Sequence, residues 1–316
     1  MSDAPRLFCL DTLLIDVVLR VGALPERAGD ALASDQLITA GGGFNAMSAA
    51  ARHGLDVIYA GRLGVGPFSS LAESALGNEH VATPIERNAS LDTGLCVVLV
   101  EPDGERSFVT SPGAEATLRD EDLATLDVRD GDYVLVSGYN LMLERFAEVV
   151  LGWLVNLSSD VIVAFDPATR MVDIPSKYLE VVLRRTNWLL CNATEARTLA
   201  GSADVESSAT LLASRNDSLD VLVRNGAQGC VVALNHEGAR AVHGFTTTVV
   251  DTNGAGDVHN GVFVAELASG RDAWTAARWA NAAAAMAISR LGPATCPPRD
   301  EVAAWLASGG RERGLA

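Results

Sequence analysis

The chain has 316 residues, and its 24 Lys and Arg against 40 Asp and Glu give a net charge of −16. An acidic balance of this size argues against a nucleic acid or an anionic membrane surface as a partner. At 48% hydrophobic and 20% charged residues, the composition is that of a globular protein with a sizeable core. No leader peptide and no apolar run of the ~18 residues that a membrane span needs are recognisable, which predicts a cytoplasmic protein.

Two residue types narrow the chemistry further. Lys177 is the only lysine, so a lysine-dependent phosphate loop is excluded, and its polar surroundings are typical of the surface. The five cysteines are odd in number, widely spaced and mostly set in apolar runs, so we expect buried free thiols. The histidines lack the spacing of a zinc site.

Short apolar runs alternate along the chain with longer segments of helical period, a pattern typical of a mainly parallel sheet covered by helices. The predicted strands cover residues 7–10, 57–61, 133–137, 161–166, 188–191, 221–224 and 230–234. The predicted helices cover 46–53, 69–76, 143–155, 194–200, 207–214, 255–269, 273–290 and 299–307. This predicts one α/β domain over 1–316 that ends in a flexible tail at 308–316.

Two regions break that rhythm. Residues 12–39 and 92–112 show strand-like alternation with turn signals and little helical period. We expect them to form a small β-sheet inserted into the large domain.

The segment with the clearest chemistry has the sequence D-T-N-G-A-G-D and covers residues 251–257, where a predicted helix begins. Its small residues let backbone N–H groups converge on an anion at the helix N-terminus, where unpaired donors and the helix dipole favour negative charge. Asp257 in the first helical turn is placed to take a proton from a hydroxyl that attacks a phosphoryl group. For a shorter motif, the alternative interpretation is a glycine-rich turn capped by an Asp. The full seven-residue string is more specific for an anion-binding site.

This string resembles the D-T-x-G-A-G-D motif of the ribokinase-like (PfkB) carbohydrate kinase family, and further motifs follow in the family's order over nearly the whole chain. The resemblance implies a three-layer α/β/α fold with a mainly parallel central sheet and a small inserted β-sheet lid. It implies transfer of the γ-phosphoryl group of ATP to a hydroxyl of a sugar or sugar acid. Asp257 would be the general base, and Gly254, Ala255 and Gly256 would form the anion hole.

The resemblance also implies substrate contacts in the N-terminal part and the lid. The G-G-G-F-N run at 41–45 resembles the family's first glycine motif, and the G-E-R-S and F-D-P-A-T-R runs at 104–107 and 165–170 resemble fructokinase and ketodeoxygluconate kinase relatives. Leu14 stands where ribokinase has an Asn, which argues against a ribose pocket. In the alternative interpretation, Arg106 lies on the surface of a hairpin without a role in binding, and Asp166 forms an ion pair with Arg170. The implied contacts are Asp16, Gly41, Gly42, Gly43, Asn45, Arg106 and Arg170.

Three later motifs resemble those that bind ATP and Mg²⁺. The N-A-T-E run at 192–195 resembles the family's N-x-x-E, with Glu195 near Mg²⁺ through water; a capped helix N-terminus is the alternative. Arg224 replaces the Thr that usually opens the next motif, and the sequence leaves open whether it faces the phosphates or the solvent. The small residues at 280–285 resemble the helix beside the adenine, although they also suit close packing. The implied ATP contacts are Asn192, Arg224, Gly226, Gly229 and Asn281.

Some family members bind a monovalent cation beside the anion hole, mostly through backbone carbonyls. The matching positions for K⁺ are Asp251, Asn253, Arg290, Gly292 and Cys296. His259, two residues after the implied base, is expected to pack on its helix. Exposed lid edges predict a homodimer through the lid.

Two other functions stay open. One is a nucleoside kinase of the same family, because Phe44 and Met47 make the first glycine motif more apolar than that of ribokinase. The other is a non-catalytic sugar-binding relative, against which the joint presence of Asp257 and Glu195 argues. A phosphosugar acceptor is disfavoured because it would need additional cations in the lid.

Overall fold

A computed structural model describes residues 4–235 and 237–310. His236 and residues 311–316 of the predicted tail lie outside the described residues. The described strands are β1 Arg6–Leu10, β2 Leu13–Arg20, β3 Asp35–Gly42, β4 Asp56–Tyr59, β5 Leu95–Val100, β6 Arg106–Ser111, β7 Tyr133–Ser137, β8 Ile162–Asp166, β9 Trp188–Asn192, β10 Asp220–Arg224, β11 Gly229–Leu234 and β12 Gly238–His243. The described helices are α1 Phe44–Arg52, α2 Pro67–Asn78, α3 Asp120–Ala124, α4 Glu144–Leu154, α5 Ser176–Arg185, α6 Ala193–Ala200, α7 Val205–Ala213, α8 Ala255–Ala268, α9 Ala273–Ala287 and α10 Arg299–Ala307.

The large sheet has eight strands in the order β12-β11-β10-β9-β8-β7-β1-β4. The pairs from β10 to β4 are parallel, and only β11 and β12 join in antiparallel fashion. The central strands are apolar throughout because helices cover both faces of the sheet. Leu7 and Cys9 of β1 therefore pack on one face, and Phe8 and Leu10 pack on the other.

Two hydrophobic clusters correspond to these two faces. One contains buried residues of α1, α2, α8, α9 and α10, and the other contains residues of α3 to α7. The result is the three-layer α/β/α architecture that the sequence predicts. The five cysteines are buried free thiols, as expected. None of the helices in the described residues has the length and apolar character needed to cross a membrane.

The small sheet has four strands in the order β3-β2-β5-β6, and we call it the lid. Its strands lie almost wholly in the two segments predicted at 12–39 and 92–112, although β3 continues to Gly42. Strand β2 follows β1 after a two-residue turn, and β3 leads directly into α1. The lid is thus tied to the large sheet next to the first glycine motif.

Three elements have no counterpart among the predicted ones: α3, α5 and β12. Strand β12 is an edge strand whose residues are mostly exposed, so its sequence lacks the apolar run of the central strands. Helix α5 buries Tyr178 and Val182, and Leu179, Val181 and Leu183 are partly buried beside them, so its apolar residues are nearly consecutive and lack a clear helical period. Lys177 lies in the first turn of α5, exposed and paired with Glu144.

Candidate active site

The site lies at the carboxyl edge of the large sheet. Parallel strands end at the same edge, and ligands bind there where the strand order reverses. The order reverses between β1 and β7, because β4 continues on one side of β1 and β8 to β10 continue on the other side of β7. The residues that end these strands or directly follow them are Asp11, Ser137, Asp166, Asn192 and Arg224.

Helix α8 begins at this edge with the predicted anion hole. Its N-cap, Gly254, has φ +71°, a left-handed conformation that favours glycine. A Cβ at Gly254 would also press on the Asn45 side chain, 3.0 Å from its amide carbon. Asn45 in turn donates from Nδ2 to Asp257 Oδ2 at 3.1 Å, and its Oδ1 accepts from Ala294 N at 2.9 Å. The structure thus brings Asn45 and Asp257 together although they lie 212 positions apart in the sequence.

The carboxyl group of Asp257 is a weaker acid than that of an ordinary aspartate. Burial raises its pKa to about 6, with a further increase from Asp166, while Asn45 and Arg224 act in the opposite direction. At neutral pH the carboxylate is still mainly ionised and can accept a proton. A base whose pKa is close to the working pH is well suited to proton transfer.

Arg224 lies beside the first turn of α8 and is largely buried, so it does not point to the solvent, and its contact with the phosphates stays a prediction. Its Nη2 donates to Asp166 Oδ2 at 3.1 Å, and Nη1 donates to Asn260 Oδ1. Glu195 Oε2 lies 3.9 Å from Nη2. A Cβ at Gly256 would lie 3.5 Å from Arg224 Nε. The largely buried guanidinium therefore faces the amide groups of the hole and does not point to the solvent.

Asn192 and Glu195 form a reciprocal cap at the start of α6. Asn192 Oδ1 accepts from the backbone N–H groups of Thr194 and Glu195 at 2.9 Å each. Glu195 returns the bond by accepting from Asn192 N at 2.8 Å. The helix-cap alternative is therefore realised, and it also orients the buried Glu195 carboxylate toward Arg224 and Asp166.

The same residues decide how a magnesium ion would fit. Both Glu195 oxygens accept hydrogen bonds from Asn192, and Asp166 accepts from Arg224, Asn260 and Ala168. Within the described residues no group of three or more His, Cys, Asp or Glu is arranged to hold a metal. The donor set therefore suits a hydrated ion held through water and does not suit direct coordination.

Asp16, which the resemblance implies as a substrate contact, lies on the lid. It projects from β2 against Gly41, where any Cβ would collide with its carboxylate. Its exposed fraction is 9%, and in the described part of the chain no hydrogen bond or ion pair of its side chain is found. Burial raises its pKa to about 6. A buried carboxylate without a partner is costly unless a ligand supplies hydroxyl groups.

Asp11 was missed in the sequence. It follows β1 directly, bonds Thr12 N at 2.7 Å, and lies so close to Gly43 that a Cβ there would be 2.6 Å from its own Cβ. Burial raises its pKa to about 7, and the charge of Asp257 adds to the increase. Its position after a predicted parallel strand was the signal that could have identified it. Asn260, one turn after Asp257, was also missed.

The two arginines implied as substrate contacts lie in different surroundings. Arg106 of β6 donates to Asp251 Oδ1 and so connects the lid to the loop before α8. Arg170 has a side chain that is 67% exposed and pairs with Asp173 at 2.8 Å. The predicted alternative of an Asp166–Arg170 pair is wrong, because Arg224 and Asn260 occupy Asp166. The structure does not bring Arg170 into the cluster around Asp257.

The implied adenine contact, Asn281, is engaged inside the protein. Its Nδ2 donates to the carbonyls of Val242 and His243, and its Oδ1 accepts from His259 Nε2 at 2.9 Å. Burial lowers the pKa of His259 to about 3, so this ring is neutral and packs as expected. These bonds favour a packing role for Asn281 over contact with a nucleotide.

The two glycines of the nucleotide motif shape the turn between β10 and β11. Gly226 and Gly229 have φ +56° and +97°. A Cβ at Gly229 would collide with the carbonyl of Val242. The positive φ angles explain why both positions are glycine. Contact of Gly226 and Gly229 with ATP stays a prediction.

The implied K⁺ positions lie in two adjoining loops. Gly292 N donates to Asp251 Oδ2 at 3.2 Å, and Val250 N donates to Ile288 O at 2.8 Å. The Cys296 carbonyl accepts from Arg52 Nη1 at 2.6 Å, so one of the five positions already faces a cation of the protein. Binding of K⁺ stays a prediction.

Phe44 and Met47 do not contribute to a pocket. Both are buried in the hydrophobic core beneath α1, together with Leu13 and Ile15. Their burial favours a packing role, and the nucleoside-kinase alternative that was based on their apolar character stays a prediction.

Known proteins resemble this chain over nearly its whole length. The model of the pfkB family carbohydrate kinases matches residues 4–300. The chain belongs to this family. The kinase is 32% identical to the uncharacterized sugar kinase YegV of Escherichia coli K12, over 92% of this chain and 90% of that protein. It is 30% identical to an ATP-dependent ribose-1-phosphate kinase of Halopiger xanaduensis, over 92% and 94% of the two chains.

The fold of the kinase is likewise that of its family. The crystal structure of a ribokinase from Thermotoga maritima superimposes with a TM-score of 0.82 and 26% identity, covering 96% of this chain and 99% of that chain. The kinase is thus a phosphotransferase that uses an alcohol group as acceptor, built on the ribokinase-like fold.

Proposed function

We propose that the kinase transfers the γ-phosphoryl group of ATP to a hydroxyl group of a sugar, with Asp257 as the general base. The observation that carries this proposal is the position of Asp257 in the first turn of α8, bonded to Asn45 and directly after the glycine N-cap. Asn45 fixes the orientation of the carboxylate, so that its free oxygen can accept the proton of the attacking hydroxyl.

The amides of Gly254, Ala255 and Gly256 form the anion hole. They lie at the N-terminus of a helix of 14 residues, where the helix dipole stabilises negative charge on the transferred group. The amide of Ala255 donates to Thr252 O at 3.3 Å and would have to turn from this carbonyl to the anion. Arg224 adds a cation next to Gly256. Because the only lysine lies on the surface in α5, this arginine supplies the side-chain charge that other phosphate sites take from lysine.

Glu195 and Asp166 are the residues that would hold a hydrated Mg²⁺, which reduces the charge of the phosphates when it is bound. Their carboxylates converge on Arg224 from β8 and α6. Burial and the charge of Asp166 raise the pKa of Glu195, so a nearby cation favours its ionised form.

The acceptor side is acidic. Asp11, Asp16 and Asp257 face the same space, and burial raises the pKa of all three. Carboxylates accept hydrogen bonds from hydroxyl groups and repel anions. We therefore favour an uncharged sugar over a sugar acid or a phosphosugar, even though one relative is named for ribose 1-phosphate.

The test is ATP-dependent release of ADP by the purified protein with neutral sugars, sugar acids and phosphosugars. Asp257→Asn should lower kcat by about 10²–10⁴, since it removes the base, and should leave ATP binding unchanged in a thermal-shift assay. Asp300→Asn is the matched control, because Asp300 occupies the first turn of α10 and is exposed. Retention of activity in Asp257→Asn would contradict the assignment of the base, and binding without turnover on any alcohol would favour the non-catalytic alternative.

A further inference from the structure

Asp251, the first residue of the D-T-N-G-A-G-D segment, connects the loop before α8 to the loop that follows α9. Its Oδ1 accepts from Asn253 N at 2.9 Å, and its Oδ2 accepts from Gly292 N at 3.2 Å. The backbone joins the same two loops, because Asp251 N donates to Ile288 O at 3.1 Å. The conformation of the residues that lead to the N-cap Gly254 therefore depends on this carboxylate.

The positive charge beside Asp251 comes from the lid. Arg106 at the start of β6 donates from Nη2 to Asp251 Oδ1, and the two side chains are only 23% and 13% exposed. Asp251 precedes the N-cap of α8 by three residues, so its negative charge opposes the binding of an anion there unless a cation balances it. Arg106 supplies that balance, and it does so only while β6 lies against the body of the kinase.

Asp251 is also one of the positions that the family resemblance implies for K⁺. A second of them, Cys296, faces another arginine, because Arg52 Nη1 donates to the carbonyls of Ala294 and Cys296 at 2.9 and 2.6 Å. A guanidinium group at such a short distance repels a further cation, and it already bonds oxygen atoms that K⁺ would need as ligands. Arginine side chains therefore stand where the resemblance implies a monovalent ion, and the surroundings of Asp251 and Cys296 do not fit one.

We propose that Arg106 takes the place of a monovalent cation and is a positioning residue, which holds the anion-hole loop through Asp251 when the lid closes over the acceptor. A diffusible ion would bind this loop whether or not the lid were closed, whereas a side chain of the lid arrives together with it. The kinase should therefore need no K⁺. This inference rests on the proposed phosphotransfer and adds the residue that couples the anion hole to the lid.

Arg20 provides a matched control on the same face of the lid. In the strand register, Arg20 and Arg106 both pair with Val100, so the two arginines occupy one row of the sheet. Arg20 Nε lies 3.8 Å from Asp35 Oδ2 within the lid, whereas Arg106 bonds across to the body. Substitution of either arginine by Met removes the charge and keeps most of the side-chain volume. Only Arg106→Met should change the response to K⁺.

The experiment measures ADP release by the full chain with the neutral sugar that gives the highest kcat/KM, in tetramethylammonium chloride and in potassium chloride at equal ionic strength. The wild type and Arg20→Met should have the same kcat/KM in both salts within about twofold. Arg106→Met should lose about fivefold in kcat/KM without K⁺, as expected for a partly exposed ion pair, and K⁺ should restore it by binding at Asp251. Arg106→Lys, which keeps the charge, should behave as the wild type.

A thermal-shift measurement in the same two salts needs no turnover. K⁺ should raise the melting temperature of Arg106→Met and leave that of the wild type unchanged. Activation or stabilisation of the wild type by K⁺, or an Arg106→Met variant that K⁺ neither activates nor stabilises, would overturn the inference and leave the proposed phosphotransfer intact. Absence of turnover on every sugar would contradict the phosphotransfer, and the melting temperatures would then decide the inference alone.

Discussion

The site has a phosphate side, formed by Arg224, Asp166, Glu195 and Asn260, and a lid side, formed by Asp16 and the strands around it. The two sides differ in whether their polar side chains have hydrogen-bond partners within the protein. Arg224, Asp166, Glu195 and Asn260 bond or face one another, so the phosphate side is complete before any ligand binds. On the lid side, Asp16 has no hydrogen-bond partner in the described chain, and a cavity of about 120 Å³ separates the lid from the loops 250–253 and 291–293. The difference indicates that the phosphate side is preorganised for a common reaction, whereas the lid side is completed by the substrate and determines which acceptor is used.

The largest effect is expected from breaking the phosphate-side network. Arg224→Met would leave Asp166 and Glu195 without their shared cation. Removal of one partner from a buried ion pair typically destabilises a protein by about 3–5 kcal/mol. We expect a loss of this order in the free energy of unfolding, measured by urea denaturation, because the three side chains are largely buried.

The control for this experiment is Arg184→Met. Arg184 forms an exposed pair with Glu180 in α5, at 3.4 Å, and such pairs contribute about 0.3–0.5 kcal/mol. If Arg224→Met were no more destabilising than Arg184→Met, the phosphate side would not be the self-supporting unit described above.

A smaller effect, confined to the acceptor, is expected from the lid side. Asp16→Asn keeps the shape of the side chain but removes the charge that strengthens hydrogen bonds to hydroxyl groups. A hydrogen bond to a charged group contributes about 1.5–3 kcal/mol, which corresponds to a rise of roughly 10–100-fold in KM for the acceptor. KM for ATP should not change. Asp103→Asn, in the exposed turn between β5 and β6 of the lid, is the control, and an equal effect of both substitutions would show that Asp16 does not contact the sugar.

The pH dependence joins the two sides, because Asp257 stands between them. Its pKa is raised to about 6, mainly by burial. The base must be ionised, so kcat/KM should be constant above that pKa and should fall about tenfold for each pH unit below it. Asp11, with its pKa raised to about 7, carries a neighbouring negative charge whenever it is ionised. At the pH where Asp257 titrates, Asp11 is mostly protonated and uncharged, so Asp11→Asn should leave the acidic limb nearly unchanged. A clear shift of the limb to lower pH would show that Asp11 is ionised while Asp257 titrates.

Only the local parts of the phosphate side could be predicted from the sequence. The D-T-N-G-A-G-D segment contains the N-cap Gly254 of α8, and the N-A-T-E segment contains the reciprocal cap of Asn192 and Glu195, whereas Asn45 contacts Asp257 from 212 positions away. The strands of the large sheet could also be predicted, because burial on both faces makes them continuous apolar runs. Edge strand β12 lacks that signal, since most of its residues face the solvent.

The lid side could be predicted only in outline. Its two segments were recognisable, but the rows on its inner face depend on the register of four strands, which the sequence does not determine. Phe44 and Met47 of the first glycine motif lie in the core under α1, a position that their apolar character alone does not reveal. The partners of Asp166 were also out of reach, because Arg224 and Asn260 come from β10 and α8, far along the chain.

The smallest effects are expected at two arginines that the sequence treats alike. Arg106→Ala would remove the contact between the lid and Asp251. Partly exposed pairs contribute at most about 1 kcal/mol, so stability should change little. Water would enter the closed site more often, and ATP hydrolysis without acceptor should rise severalfold while KM for the acceptor increases by a similar factor.

Arg170→Ala, by contrast, should leave kcat/KM within about twofold, because the exposed Arg170–Asp173 pair lies outside the cluster around Asp257. The kcat/KM values of both variants are measured with the same acceptor. They compare Arg106, which connects the lid to the body, with Arg170, which faces the solvent. A larger loss in Arg170→Ala than in Arg106→Ala would show that Arg170 moves to the substrate on binding. The acceptor would then be recognised from the carboxyl end of β8 as well as from the lid, and the division between the two sides would no longer hold.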